Sequence, residues 1–299
     1  MHRPRSLAQA LPTDTISTME MTPSRTPELS VSIVLHHSDL DRLRTCVESL
    51  AESARVAVTA GDLACVRISL VDNSCEERYR VAVESMLGEL PAIPQVTFEM
   101  LVLPDNLGFG HAHNRVMTSV SSDLHLVLNP DTELDPNALS EGVAAFADEA
   151  IVLVSPRVSG ADGGQEFLCK RYPSVLVLLL RGFAPAFVRR WFDRRLGRYE
   201  MRDVCSKAEI ADVTIASGCF MLLRVSAVRE VGGFDDSYFL YFEDFDLSMR
   251  LQASGRLVYA PRMQIRHYGG YAARKGFRHL RYFAASAARF FNRHGWQWI

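Results

Sequence analysis

A stretch of aromatic residues in the second half of the chain contains three carboxylates. The segment LYFEDFDLSMRL, residues 240–251, carries Glu243, Asp244 and Asp246. Carboxylates resist leaving water, whereas aromatic side chains favour burial. A carboxylate with apolar neighbours has a raised pKa, which suits a general base. Acidic residues in a first helical turn also complement the helix dipole, but this simpler explanation covers only one or two of the three.

A second acidic group follows an apolar, strand-like segment. In LVLNPDTELDP, residues 126–136, the side chains of Asn129, Asp131 and Glu133 stand at alternate positions. Oxygen ligands from such a turn, together with diphosphate oxygens, suit Mg²⁺ or Mn²⁺. The alternative is a polar turn before a helix that is capped by Asp135. That alternative leaves Asn129 and Asp131 unexplained.

Polar residues also end other strand-like segments. Asp72 closes LVDNS, where its carboxylate can accept hydrogen bonds from a nucleobase or cap the next helix. The loop DNLGFGHAHN, residues 105–114, places two glycines where the backbone could approach a phosphate at a helix N-terminus. The third glycine of the dinucleotide fingerprint is missing, because His113 stands there. His267 becomes relevant only if the sheet brings it beside Asp131.

An alternation of strands and helices must position these residues. Amphipathic helical spacing separates the first four strand-like segments. Strands are predicted at residues 31–37, 66–74, 96–104, 124–131 and 151–158. This order predicts a parallel sheet with helices on both faces, in which ligands bind beyond the carboxyl ends of the strands. Residues 170–207 are expected to be irregular and basic.

Composition indicates the class of protein. The 299 residues are 48% hydrophobic and 23% charged, as in ordinary globular proteins, and the net charge of -2 argues against a nucleic-acid partner. Six scattered cysteines predict reduced thiols and no zinc site. Residues 1–29 lack the apolar core of a secretory signal and are expected to be disordered. The longest apolar run, at 175–180, is far shorter than the roughly 20 residues of a membrane span.

A resemblance to family 2 glycosyltransferases of the GT-A fold, especially bacterial rhamnosyltransferases that build cell-surface polysaccharide, covers about residues 30–270. It rests on six segments in order: VSIVLHH, LVDNS, NLGFGHAHN, LVLNPDTEL, SGCFMLLRVSAVREVGGFDDSYFLYFEDFDLSMRL and IRHYGG. It implies an α/β fold with a mostly parallel, Rossmann-like sheet flanked by helices and a C-terminal acceptor-side region. The nucleotide-sugar half would be 30–137 and the acceptor half 138–270.

The resemblance implies a role for each candidate residue. Asp131 would hold Mg²⁺ or Mn²⁺ with help from His267. Asn129 stands where many relatives have Asp, which keeps an oxygen ligand and removes a charge, and Asn-Pro-Asp is familiar in the rhamnosyltransferase-like branch. The nucleotide-sugar donor would be bound by Asp72, which reads the base, and by Asn73, Asn106, Gly108, Asn114 and Asn129.

The implied reaction is inverting transfer in one displacement, with Asp244 as the base and Glu243 as its acidic neighbour. The expected donor is dTDP-L-rhamnose, with a UDP-sugar as the alternative, and the expected acceptor is a lipid-linked or surface-polysaccharide glycan such as the O-antigen of lipopolysaccharide. The surrounding aromatic residues would form the acceptor platform. A nucleotidyltransferase is disfavoured because LHHSDLDRLR has no glycine-rich phosphate loop. The intact acidic residues disfavour a catalytically silent glycan- or membrane-binding module.

Two basic, aromatic segments at 171–198 and 276–299 are the remaining feature. A helix in the tail, residues 271–299, would gather Leu280, Phe283, Ala287, Phe290 and Phe291 on one face and arginines on the other, as in helices that lie on anionic bilayers. The alternative is packing on the domain or on a homodimer partner. Because the family often uses lipid-diphosphate acceptors, we expect a cytoplasmic protein that is peripheral on the inner face of the bacterial cytoplasmic membrane.

Overall fold

The computed structural model describes residues 25–269 and 276–299. Its strands join in a single sheet, and helices cover both faces. The strands are β1 Glu28–Leu35, β2 Cys65–Asp72, β3 Val96–Val102, β4 Leu124–Leu128, β5 Thr132–Leu134, β6 Ile151–Ser159, β7 Gln165–Glu166, β8 Ala211–Asp212, β9 Phe220–Arg224 and β10 Arg256–His267. The helices are α1 Leu40–Ala60, α2 Glu77–Gly88, α3 Phe109–Met117, α4 Ala138–Ala145, α5 Val175–Phe183, α6 Ala186–Trp191, α7 Asp193–Tyr199, α8 Arg202–Cys205, α9 Val225–Val231, α10 Glu243–Leu251 and α11 Gly276–His294.

The sheet is mostly parallel, in the order β3-β2-β1-β4-β9-β6-β10-β5, with β7 beside β6 and β8 beside β10. Strands β1 to β4 run in one direction, and Ile33 lies opposite both Leu70 and Leu128. Strand β9 runs antiparallel between β4 and β6, and β6 pairs in parallel with β10. The carboxyl ends of β1, β2 and β4 therefore meet at one edge, as the strand pattern predicted.

Both faces of the sheet are buried, as expected for a parallel sheet between helical layers. One face packs on α1 through residues such as Leu43 and Leu50. The other packs on α3 and α10, where Met117, Leu247 and Leu251 are fully buried. The central strand β4, with the sequence LHLVL, is buried along its whole length. This rigid frame fixes the loops at the carboxyl edge.

Residues 170–207 differ from the expected irregular structure, since they form the four short helices α5 to α8. Ser174 caps α5 by accepting a hydrogen bond from the Val177 amide at 3.3 Å. The chain breaks at Pro185, which precedes α6, so no single helical period is long enough to be recognised in the sequence. The prediction was therefore wrong for this segment. The strand β1 also begins at Glu28, before the expected domain start at residue 30.

The helix predicted near the carboxyl terminus is present as α11. Its apolar face packs on the molecule itself, and Phe290 and Phe291 are buried beside Tyr238 and Phe242. For Phe290 and Phe291 the structure therefore supports packing on the domain and not burial in a bilayer. None of the helices within residues 25–269 and 276–299 is both long and apolar enough to cross a membrane. The six cysteines are free thiols, as predicted.

Candidate functional site

A cleft of about 920 Å³ opens at the carboxyl edge of the sheet. His36, Asn73 and Asn129, which follow β1, β2 and β4, line one side of it. The other side carries the first turn of α10, the residues after β10 and the first turns of α11. Most of the candidate residues predicted from the sequence line this cleft. They are Asn73, Asn106, Gly108, Asn129, Asp131, Glu243, Asp244 and His267.

A hydrogen-bonded amide network shapes the wall between β2 and α3. The Asn73 Nδ2 donates to Asn106 Oδ1 at 2.9 Å, and Asn73 Oδ1 accepts from the Leu107 amide at 3.0 Å. Asn106 Oδ1 also accepts from the Gly108 amide at 3.0 Å. Gly108 has φ +87, and a Cβ there would lie 2.2 Å from the Phe239 carbonyl oxygen. Only glycine allows this loop to meet the segment before α10.

Two predicted donor-binding residues are not among the described residues that line the cleft. Asp72 is buried, and its Oδ1 accepts from the amide of Ser74 at 2.9 Å and from its hydroxyl at 2.6 Å. Asn114 donates to the Phe234 carbonyl at 2.8 Å and accepts from the Phe234 amide at 2.9 Å. Asp72 thus closes a local turn with Ser74 and does not cap α2, while Asn114 holds the loop at Phe234. Their roles in donor binding remain predictions.

The sheet brings His267 beside Asp131, because β10 pairs antiparallel with β5 and His267 lies opposite Thr132. The His267 Nε2 is 3.6 Å from Asp131 Oδ1, a buried oxygen without a hydrogen-bond partner. The His267 Nδ1 is 3.2 Å from Glu166 Oε2 on β7. At Gly269 a Cβ would lie 2.6 Å from the His267 ring and 2.9 Å from Asp131 Oδ2. Both metal candidates therefore face the same space.

These residues fit a divalent cation that shares its ligands with a substrate. An orphaned buried carboxylate oxygen and an imidazole nitrogen suit Mn²⁺ or Mg²⁺, and a carboxylate on the far imidazole nitrogen is the usual support for a ligating histidine. The described residues contain no group of three or more His, Cys, Asp or Glu side chains that could hold a metal ion alone. Asp131 and His267 would supply two ligands, and the other coordination positions of the cation would be free for diphosphate oxygens.

The acidic pair stands at the amino end of α10, behind a strained turn. Tyr241 and Phe242 have φ of 71 and 66, a left-handed conformation that is rare for bulky residues. Phe242 is held there by packing against α11. The turn presents Asp244 to the cleft, where Asp244 Oδ2 accepts from the Gly218 amide at 2.9 Å and Oδ1 accepts from the Phe245 amide at 2.9 Å.

Burial sets the charge of the pair. It raises the pKa of Asp244, which backbone hydrogen bonds partly counteract. Burial and the neighbouring charge of Asp244 raise the pKa of Glu243 well above its ordinary value of 4.5. The Glu243 Oε2 is buried without a hydrogen-bond partner. Asp244 receives backbone hydrogen bonds from three amides, whereas Glu243 receives only the one from its own amide, so the surroundings favour the carboxylate form of Asp244 over that of Glu243.

The third acidic residue, Asp246, holds helices together. Its Oδ2 accepts from Arg250 Nε at 2.7 Å, and its Oδ1 accepts from His294 Nε2 at 2.8 Å. Arg293 is 3.2 Å from the same oxygen. A fully buried carboxylate thus ties α10 to α11.

The aromatic residues around the acidic pair divide into two groups. Phe239 and Tyr241 line the cleft, and the Tyr241 hydroxyl is 3.0 Å from His279 Nδ1 on α11. Tyr238 and Phe242 are buried in the interface with α11, where Phe242 lies 5.5 Å from Phe290 between ring centroids. The expected acceptor platform is therefore limited to the first group. The second group packs against α11.

Residues 126–285 match a family model that is described as Glycosyl transferase family group 2. The match covers more than half of the chain and includes the Asp131 turn, the acidic pair and His267. The chain belongs to this glycosyltransferase family.

This family 2 chain is similar to two rhamnosyltransferases. It is 30% identical to the N-acetylglucosaminyl-diphospho-decaprenol L-rhamnosyltransferase of Mycobacterium tuberculosis (strain CDC 1551 / Oshkosh) over 176 residues, which cover 54% of this chain and 56% of that protein. It is 45% identical to the rhamnosyltransferase WbbL of Escherichia coli (strain K12) over 62 residues, 20% of this chain and 24% of that one. The chain thus spans about half the length of the first relative. The rhamnosyltransferase-like resemblance is confirmed.

Solved structures share the fold of this family 2 chain at low identity. The mannosyltransferase PcManGT from Pyrobaculum calidifontis, in complex with GDP-Man and Mn²⁺, has a TM-score of 0.57 at 15% identity, over 89% of this chain and 66% of that one. GalNAc-T7 with UDP, GalNAc and Mn²⁺ has a TM-score of 0.57 at 16% identity, over 82% of this chain and 44% of that one. The predicted GT-A fold is confirmed.

Three charged residues of the family 2 site were not predicted from the sequence. Arg42 on α1 and Arg278 on α11 line the cleft and bring positive charge to it. Arg42 lies in the first turn of α1, beyond the loop that follows β1, whereas Asp72 is the last residue of β2, so inspecting strand ends does not find Arg42. Glu166 supports His267 from 101 residues away along the chain. Nothing in the sequence near Glu166 indicates that contact.

Proposed function

We propose that this chain is an inverting, metal-dependent glycosyltransferase. The supporting observation is that one cleft holds two adjacent carboxylates, the buried Glu243 and the half-buried Asp244, together with the metal candidates Asp131 and His267. A binding module without catalysis would not need to bury a carboxylate beside a second, half-buried one at this cost. A strained turn that aims one of them into a cleft is typical of active sites.

In the proposed reaction Asp244 accepts the proton of an acceptor hydroxyl while that oxygen attacks the anomeric carbon of the donor sugar. The bond from that carbon to the diphosphate oxygen breaks, and a nucleoside diphosphate leaves. A bound divalent cation would neutralise the developing charge on the diphosphate. Asp131 and His267 would hold the cation, and Arg42 would add positive charge. Glu243, which keeps its proton, lets Asp244 remain the ionised member of the pair.

The proposed donor is dTDP-L-rhamnose, bound through Asn73, Asn106, Gly108 and Asn129, with Asp72 toward the base. The rhamnosyltransferase names of the two relatives support this sugar. A UDP-sugar is the alternative donor within the same mechanism. The proposed acceptor is a glycan on a polyprenyl diphosphate, as the name of the mycobacterial relative suggests. Such an acceptor places the reaction at the cytoplasmic face of a membrane.

Calorimetric binding of dTDP, UDP, GDP and CDP, with and without Mn²⁺, tests this proposal on the wild type and on Asp131→Ala. We expect dTDP to bind best, to need Mn²⁺, and to lose its metal dependence in the variant. A preference for UDP would keep the mechanism and change the sugar. Absence of binding to all four nucleotides would contradict the proposal and favour a silent binding module.

A further inference from the structure

Helices α5 and α6 expose four large apolar side chains. The exposed fractions are 51% for Leu179, 62% for Phe183, 61% for Phe187 and 80% for Trp191. Within each helix the two residues are four positions apart, so they share one face. The rings of Phe187 and Trp191 also contact each other, with centroids 6.1 Å apart. Single exposed apolar residues are common, whereas a cluster of this size marks an interaction site.

The chain's own core does not need these side chains. The inward faces of α5 and α7 already form a small core of Val177, Leu180, Leu196 and Tyr199. These four residues are buried, and Val188 and Phe192 pack against them. The outward residues are not part of this core, and each of them is at least half exposed. They are available for a surface outside the domain.

The charge around this patch is strongly positive. Residues 181–198 contain six arginines and one acidic residue, Asp193, which pairs with Arg202 at 2.8 Å. Within residues 25–269 and 276–299, Arg181 forms an ion pair with Glu200 at 3.4 Å. Arginines that form no ion pair with any described residue surround the exposed aromatic side chains. With Arg198, five of the six arginines of this segment form no such ion pair; the other four are Arg189, Arg190, Arg194 and Arg195.

The end of the chain extends the same surface. The carbonyl oxygens of Gln297 and Trp298 accept from the amides of Val175 and Leu176, at 2.8 and 3.1 Å, at the start of α5. Trp298 and Ile299 are exposed there, and Trp296 stacks on Trp298 with centroids 5.0 Å apart. Tryptophan is enriched where membrane proteins cross the boundary between lipid and water.

The combination of unpaired arginines with exposed aromatic side chains fits an anionic lipid surface. Arginine is attracted to the negative headgroups, while aromatic and leucine side chains insert below them. The apolar face of α11 cannot serve in this way, because Phe290 and Phe291 are buried. Within 276–299 the large apolar side chains that remain exposed are at the start of α11, Phe277 and Leu280, and among the last residues, Trp296, Trp298 and Ile299.

We propose that α5, α6 and the terminal residues Trp298 and Ile299 form a docking surface for anionic bilayers. The surface is joined to the site, because Val175 and Leu178 pack on the aromatic cluster that contains Phe242, directly before Glu243. Docking would therefore hold the cleft at a fixed position near the headgroups. This inference rests on the proposed function only for its purpose, which is access to a lipid-linked acceptor.

Co-sedimentation with vesicles of phosphatidylglycerol and phosphatidylethanolamine, against phosphatidylcholine alone, tests the surface without turnover. We expect Arg190→Gln/Arg194→Gln to lower the partition coefficient about 30-fold on the anionic vesicles, at about one kcal/mol for each arginine. Phe187→Ser/Trp191→Ser should lower it at least about tenfold through lost apolar burial. The matched controls are Arg78→Gln/Arg115→Gln and Val81→Ser/Val102→Ser, which remove exposed residues elsewhere and should retain binding.

Three results would overturn the inference. The first is that the wild type fails to bind the anionic vesicles. The second is that the control variants lose as much binding as the patch variants. The third is that the patch variants bind vesicles normally but convert a dimer into monomers in analytical ultracentrifugation, which would make the patch an interface between copies. Nucleotide calorimetry on the same variants separates this inference from the proposed function. Vesicle binding without nucleotide binding would support the docking surface and contradict the proposed nucleotide-sugar donor.

Discussion

The two halves of the domain build the site by different means. Up to residue 137 most candidate residues lie at the carboxyl ends of β2 and β4 or in the loop after β3, and the parallel pairing of β1 to β4 brings these strand ends together. Beyond it, Asp244 is aimed by a strained turn that α11 holds in place from more than 40 residues further along the chain. The first half is a scaffold whose geometry follows from topology. The second half depends on packing between distant segments.

The largest expected effect comes from removing the base that the second half positions. Asp244→Asn keeps the shape of the side chain and its hydrogen bond from the Gly218 amide but cannot accept the acceptor's proton. We expect transfer of labelled sugar to a membrane extract to fall about 10²–10⁴-fold, with nucleotide affinity unchanged. The control Asp212→Asn removes an exposed carboxylate on β8. Wild-type transfer by Asp244→Asn would refute the assignment of the base.

The next effect tests whether α11 is part of the domain. Phe290 is fully buried among Tyr172, Phe242 and Phe245, so Phe290→Ala should leave a cavity. We expect the free energy of unfolding in urea to fall by about 3–5 kcal/mol. Transfer should fall as well, because the first turns of α11 line the cleft.

Phe277→Ala on the same helix is the matched control, since Phe277 is 82% exposed. It should change the unfolding free energy by less than about 0.5 kcal/mol. Equal stability of the two variants would mean that α11 is a separate appendage, and the contrast between the halves would then lose its main support.

The same contrast explains which parts of the site could be predicted from the sequence. The strand order and the cluster of Asn73, Asn129 and Asp131 followed from alternating elements and polar strand ends. The position of His267 was conditional on the sheet, and the pairing of β10 with β5 met the condition. The partner of α11 was undetermined, because burial against a protein and burial in a bilayer require the same amphipathic pattern.

Glu166 illustrates a contact that no local pattern reveals, and its effect should be intermediate. It lies on the two-residue strand β7 and supports the His267 imidazole across 101 residues of sequence. We expect Glu166→Gln to weaken Mn²⁺ binding in the presence of dTDP about 10–100-fold, measured by calorimetry, without changing thermal stability. Glu149→Gln, an exposed carboxylate after α4, is the control. Unchanged Mn²⁺ affinity in Glu166→Gln would show that His267 is oriented without it.

The smallest effect is the share of the pH dependence of stability that Glu243 contributes. Burial and the charge of Asp244 raise the pKa of Glu243 well above 4.5, so the folded protein keeps a proton that the unfolded chain releases above pH 4.5. The contribution of Glu243 to the unfolding free energy should therefore fall as the pH rises from 4.5 toward the folded pKa, by up to about 1.4 kcal/mol per pH unit. The buried His113 and His125, whose pKa values burial lowers, contribute the opposite trend below pH 6.5 in wild type and variant alike, so the comparison between the two isolates Glu243. Glu243→Gln carries no such proton, so thermal melting should show its stability rising relative to the wild type over that range.

Glu77→Gln in the first half removes an exposed carboxylate and should follow the wild-type profile. Parallel profiles for wild type and Glu243→Gln would mean that Glu243 is ionised in the folded protein, and the pair would then lack the asymmetry that leaves Asp244 as the base.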